Sequence, residues 1–282
     1  RREGMILKGV VPLSRRLICM SQQCGYLHSR KMAPHFVRSS CWNIGTSRRK
    51  LCMESEEEKP VLIFGLSGTI VDTTACVRSS ILSCLKIDKP AITIPDNVIL
   101  SCLGDTDYFF VKGCAQHAGV DVNVIMPTVV QSFRSNLQRP EMIALTKPIE
   151  GAGDALEALK QEGFRMALCT MRSQQLAESI LRQHGFLDFF VAIVGGDRLP
   201  VYKPDPGHLI AAAAAAGGDE GRAVVVAASP STIRSAHSAG MTAIAVGPGP
   251  AGSWERLQPN AVIGGVGEIG DSLVRLRENS TY

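Results

Sequence analysis

A chain of 282 residues, 45% hydrophobic and 20% charged, has the balance of a folded globular protein, which argues against a disordered or fibrous one. No apolar run reaches the roughly 20 residues that span a bilayer. The formal charge of +4 is uneven: residues 1–50 carry 11 Lys and Arg against one acid, Glu3, whereas the remainder carries 19 against 25. A basic arm therefore precedes a mildly acidic body.

The arm is rich in Arg, Ser and Cys and poor in acids, the composition of an organellar transit peptide, mitochondrial in preference to plastid. Met5 and Met32 are possible starts. Too little apolar surface is present for the arm to fold alone. With Tyr26, Phe36 and Trp42 between its bases, the stretch Arg1 to Lys50 also suits contact with RNA. The charged linker Glu54 to Lys59 follows, so that residues 1–59 form an extension and Pro60 opens the domain. Nine cysteines, odd in number and without a Cys-x-x-Cys pair, read as free thiols in a reducing compartment.

Val61 to Phe64 is a short buried strand with a glycine-containing turn behind it, the place where open α/β sheets hold ligands. Residues 73–146 read as helical: Cys76 to Leu85, then Asn97 to Leu103 capped by Asp96, Tyr108 to Ala118, and Pro127 to Leu137. From Pro148 helix and strand alternate. Helices are expected at Gly153 to Glu162, Ser173 to His184, Pro206 to Ala216, Ser231 to Ala239 and Glu268 to Arg277. Strands are expected at Phe164 to Cys169, Phe189 to Val194, Ala223 to Ala227, Thr242 to Val246 and Ala261 to Ile263. Such alternation implies an α/β fold, a doubly wound and mainly parallel Rossmann-like sheet. The core is expected at residues 60–72 and 147–282, with a helical insertion at 73–146.

Four stretches carry a resemblance. Phe64-Gly65-Leu66-Ser67-Gly68-Thr69-Ile70-Val71-Asp72 is followed by Thr170 after a strand. Gly195-Gly196-Asp197-x-Leu199-Pro200-x-x-Lys203-Pro204 comes next, and then Ala227-Ala228-Ser229-Pro230-Ser231-Thr232. In this order and spacing they resemble the haloacid dehalogenase superfamily, most closely its phosphoglycolate phosphatase-like branch, over about residues 61–277. The resemblance implies an inserted helical cap at 73–146. It also implies a nucleophilic aspartate, an acid/base aspartate and Mg²⁺-binding carboxylates, and their places hold Gly65, Ser67, Ala228 and Thr232. Gly65 has no side chain with which to attack phosphorus. Ser67 does not titrate near neutrality, and Mg²⁺ favours carboxylate oxygens.

Thr170 matches the hydroxyl that donates to phosphate, although a turn or N-cap role fits it as well. Lys203 matches the phosphate-holding lysine, against the alternative of a surface lysine in a proline-rich loop. Asp72, Asp197 and Asp205 match structural places. Asp105 and Asp107 could reach the cleft from the cap as a substitute metal site. Cys169, ending a buried strand, reads as inert core rather than as a nucleophile. The six histidines are dispersed, without metal-ligand spacing.

The expectation on these grounds is a catalytically inactive member with no catalytic residues, metal or cofactor, its vestigial positions being Gly65, Ser67, Thr170, Lys203, Ala228 and Thr232. It would serve beside other subunits of a large mitochondrial assembly, the ribosome before a respiratory or ATP synthase complex. Two alternatives stand beside it: a phosphate or phospho-metabolite sensor, and an active phosphatase with displaced catalytic residues.

Overall fold

The computed structural model describes residues 59–85, 93–102, 104–250 and 252–279. The basic arm and the possible contacts assigned to it lie outside these residues. In chain order the elements are β1 (Leu62–Phe64), β2 (Val71–Asp72), α1 (Thr74–Cys84), α2 (Asp96–Ser101), α3 (Asp107–His117), α4 (Met126–Leu137), α5 (Pro140–Ile143) and β3 (Lys147–Pro148). They continue with α6 (Ala152–Gln161), β4 (Met166–Cys169), α7 (Gln174–Gln183), β5 (Ala192–Val194), α8 (Gly207–Ala215), β6 (Val224–Ala227), α9 (Pro230–Ser238), β7 (Thr242–Val246), α10 (Ser253–Leu257), β8 (Ala261–Ile263) and α11 (Ile269–Glu278).

Six strands form one parallel sheet in the order β5-β4-β1-β6-β7-β8. Strand β1 lies centrally between β4 and β6, so the chain winds outward in both directions from it, the doubly wound arrangement expected from the alternating pattern. The sheet's central strands are buried on both faces because successive side chains alternate between two apolar layers. Leu62, Phe64, Met166, Leu168, Val224 and Val226 face a cluster that continues into the α1–α5 insertion. Ile63, Ala167, Cys169, Val225 and Ala227 face a second cluster against α8 and α9.

The helices α1–α5 leave and re-enter the core through one neck. There β2 and β3 pair antiparallel, Val71 opposite Pro148, and Ile149 N donates to Ile70 O at 3.0 Å. Inside the insertion Phe110 stacks on Phe133 at 5.3 Å between α3 and α4.

Two local expectations change. Asp96 does not cap α2 from outside; the helix starts at Asp96 with Pro95 before it and no side-chain cap bond. The carboxylate lies in the first turn and pairs with Arg78. The strand foreseen at Phe189 to Val194 is also shorter. Leu187–Phe189 forms a 3₁₀ turn, and the strand covers only Ala192–Val194. The aromatic residues there pack instead of pairing: Phe190 meets Phe64 edge-on at 6.0 Å, and Phe189 lies 6.2 Å from Phe186.

Candidate active site

The loops behind β1, β4, β5 and β6 all emerge at the carboxyl edge of the sheet, on either side of its central strand, where doubly wound folds place ligands. They enclose a narrow cleft of about 30 Å³, room for a water molecule or two. Gly65, Ser67, Thr170, Lys203 and Thr232 all line it, so five of the six positions singled out in the sequence converge. Ala228 does not. Its side chain packs against the apolar layer shared with the insertion, and its N–H donates to Thr69 Oγ1 at 3.1 Å. Ala227 takes the place at the cleft.

The β1 turn is tightly fitted. Thr69 is buried, and a Cβ added at Gly65 would lie 2.9 Å from its hydroxyl oxygen. Glycine at 65 thus lets Thr69 reach across to the amide of Ala228 and tie the β1 turn to the β6 turn.

Lys203 comes from the long loop after β5. The residue is intermediate in exposure, and its ammonium is the enclosed end. Nζ donates to Thr232 Oγ1 at 2.7 Å, and Thr232 and Ser229 share a hydroxyl–hydroxyl bond of 2.7 Å at the start of α9. Burial pulls the lysine below its ordinary range, with Cys169 and Asp105 acting in the opposite direction. Behind the lysine loop His208 is buried, and neither ring nitrogen is bonded to a described residue. Burial first, then the Lys203 charge, favours the neutral imidazole. Thr170 Oγ1 accepts from Arg172 N at 3.2 Å, a turn contact that leaves its proton to donate.

Cys169 ends its strand in the apolar layer under α8 and α9, where burial pushes its thiol up, and it also borders the cleft. The aspartates read as structural hold turns. Asp72 accepts from Thr74 N at 2.8 Å, Asp197 from Gln174 N at 2.9 Å and Asp205 from Gly207 N at 2.8 Å.

The two cap aspartates separate. Asp107, in the first turn of α3, is held by Arg172 Nη1 at 2.5 Å and by Arg134 Nε at 2.7 Å. Arg172 also lies over the rings of Phe110 and Phe133 at 5.4 and 5.5 Å. This cluster pins the insertion to the loop after β4. Asp105 instead lines the cleft with Lys203. Partial burial raises its carboxyl above the ordinary range, opposed by Arg234 and then Lys203.

A second cavity of about 440 Å³ opens between α3, α4 and the loops after β4 and β5. Met171 and Arg172 border both spaces. Its wall sets Arg134, Arg172 and Arg198 beside Asp107 and Asp197, with Leu137, Leu176 and Tyr202 as its apolar part.

The Mg²⁺ of the resembled family does not fit this donor set. Hydroxyls, one carboxylate, the Cys169 thiol, the Arg172 guanidinium and the Lys203 ammonium surround the cleft, and no group of three His, Cys, Asp or Glu able to hold a metal occurs among the described residues.

Comparison with known proteins bears on the chemistry. Residues 62–246 match the family model described as haloacid dehalogenase-like hydrolase. A phosphoglycolate phosphatase of Agrobacterium fabrum is 29% identical over 199 residues, 69% of this chain and 83% of that protein. One of Cereibacter sphaeroides is 32% identical, covering 54% and 70%, and one of Caulobacter vibrioides 30%, covering 66% and 78%. A crystal structure described as a predicted phosphoglycolate phosphatase from Haemophilus somnus superposes with a TM-score of 0.64 at 22% identity, over 76% of this chain and 98% of that one.

These relatives correct the expectation of a protein that is not an enzyme, because they are named as phosphatases at 29–32% identity over more than half of this chain. The expectation rested on the carboxylates missing at Gly65, Ser67, Ala228 and Thr232, and their loss does not by itself show that activity is lost. The sheet, the insertion and the matched stretch from β1 to β7 together place this chain in the haloacid dehalogenase-like hydrolase family, on its phosphoglycolate phosphatase-like branch.

Proposed function

We propose that this protein hydrolyses a small phosphomonoester, its phosphoryl group held at the carboxyl edge of β1 and β4. The observation that carries the reading is the enclosed ammonium of Lys203, which donates to a hydroxyl and stands among Ser67, Thr170 and Thr232. An ammonium so placed attracts a dianion strongly, because charge–charge attraction grows as water is excluded. The Thr232–Ser229 pair fixes the lysine from behind, and the Thr170 hydroxyl supplies a neutral donor beside it.

The organic part of the ester extends past Met171 and Arg172 into the larger cavity, which has room for more than a two-carbon acid. Phosphoglycolate is what the relatives are named for, and it is the first compound to try. Because these relatives are named as enzymes, the reading of a ribosomal or respiratory subunit is set aside.

The test is phosphate release by the full-length chain from phosphoglycolate, larger phosphomonoesters of organic acids and an aryl phosphate, with and without EDTA. Turnover that survives EDTA and disappears in Lys203→Met is expected. If the wild type releases no more phosphate than Lys203→Met on every ester, the reading is wrong.

A further inference from the structure

Gly104 has a left-handed backbone, φ +80°, and a Cβ there would lie 2.2 Å from Ser229 Oγ and 2.6 Å from Ser231 Oγ. No residue other than glycine lets the loop between α2 and α3 settle so closely on the turn that opens α9. The effect falls on the next residue. Asp105 is delivered from the insertion into the cleft, on the wall it shares with Lys203, Thr170 and Ser67. Its neighbour two positions on, Asp107, is anchored by Arg172 and Arg134, so the short stretch carrying Asp105 is fixed at both ends.

From this placement we infer that Asp105 is the acid/base residue of the site, supplied by the cap in place of a carboxylate on the β1 turn. The inference rests on the phosphomonoester reading and names the group that moves its protons. In the step, the Asp105 carboxylate takes a proton from a water molecule whose oxygen forms a bond to phosphorus. The bond from phosphorus to the ester oxygen breaks, and its electron pair stays on that oxygen. The proton passes from Asp105 through water to the departing oxygen, on the far side of phosphorus, so one water and one ester become one alcohol and one hydrogen phosphate. No further reactant is required.

The environment suits that cycle. Asp105 faces Lys203 from the loop after β5, Arg234 from α9 and the Cys102 thiol at the end of its own loop; Arg172 borders the same cleft. Partial burial outweighs the two cations and raises the carboxyl above the ordinary aspartate range, which makes it a stronger base. Since the base form is the ionised one, turnover should rise with pH through a midpoint above that of an ordinary aspartate.

The experiment uses the full-length chain and its Asp105→Asn, Asp105→Glu and Lys203→Met variants. It reads kcat on the best ester, the pH profile, and the affinity for inorganic phosphate by calorimetry. Asp105→Asn should lose about 10²–10⁴-fold in kcat while holding phosphate as well as the wild type or better. Its acid limb should vanish, and Asp105→Glu should recover part of the rate. Asp105→Asn turning over like the wild type overturns the assignment and leaves the phosphatase reading standing. A faster Asp105→Asn also overturns it, showing the carboxylate to be a plug over Lys203. If the wild type releases no phosphate, or Lys203→Met is as fast, the phosphatase reading falls and the assignment falls with it.

Discussion

Burying an ammonium group is unfavourable unless partners replace its water, and Lys203 has a hydroxyl where a stabilising carboxylate contact would serve folding better. Removing it leaves no orphaned hydroxyl, because Thr232 Oγ1 keeps its bond to Ser229 Oγ, and Asp105 keeps Arg234 as a cationic neighbour. Lys203→Met is therefore expected to leave stability unchanged or raise it by up to about 1 kcal/mol, or roughly 2–4 °C for a body of this size, while abolishing phosphate binding. The pH dependence gives a second check. A lysine whose folded pKa is depressed loses its proton earlier in the folded state than in the unfolded state. The unfolded state then binds more protons across that window, and folding stability rises with pH. The difference between wild type and Lys203→Met should accordingly shrink as pH climbs through the lowered lysine pKa. A melting temperature that falls in Lys203→Met would show the lysine to be a structural tie. The turn residues around it were legible in order and spacing. Asp105 was harder to weigh, because what aims it is the fit of Gly104 against Ser229 and Ser231, a contact between segments more than a hundred residues apart.

The elements that bear on function are the pinned helix and the shortened strand. Asp107 and Arg172 leave only 10% and 11% of their side chains exposed, so removing one charge strands the other in a poorly hydrated place. Asp107→Asn is expected to lower stability by about 2–4 kcal/mol and to speed proteolysis between α1 and α5, because the insertion loses its pin to the loop after β4. Arg134→Met removes the outer partner, 54% exposed, and should cost no more than about 1 kcal/mol. Denaturant titration of the two variants checks the ranking; equal losses would mean that Arg172 does not depend on Asp107. The helix pattern of the insertion was readable because α3 and α4 turn Phe110 and Phe133 inward at helical spacing. The pairing of β2 with β3 was not. Each has two residues, too few for periodicity, and the register depends on where the five helices return the chain. At Phe189 and Phe190 β-propensity favoured a strand, and packing on Phe186 and Phe64 won.

At the scale of the molecule, the alternation of strands and helices fixed the sheet because each buried strand carries two apolar faces and needs helices on both sides. Composition also separated a basic arm from an acidic body, and that separation makes a prediction about folding. Both apolar layers of the sheet are filled by residues from Val61 onward. The first strand is secured locally: Leu62 N donates to Arg165 O at 3.0 Å, and Val224 N to Val61 O at 2.9 Å. Lys59 adds a surface anchor, donating to Glu162 O at 2.6 Å with its ammonium over the Phe164 ring. Hydrophobic burial is the dominant stabilising term, and among the described residues it is complete without the arm. A chain beginning at Lys59 is therefore expected to unfold cooperatively, with a midpoint within about 2–4 °C of the full-length protein, the shift produced by a change near 1 kcal/mol. It should also bind inorganic phosphate with the same dependence on Lys203, because every residue assigned to the cleft lies beyond residue 59. Calorimetric melting and phosphate titration of the two chains decide the matter. An insoluble or non-cooperative shorter chain would place the arm in the folding unit. A well-folded one that no longer binds phosphate, when the full-length protein does, would place the arm at the cleft.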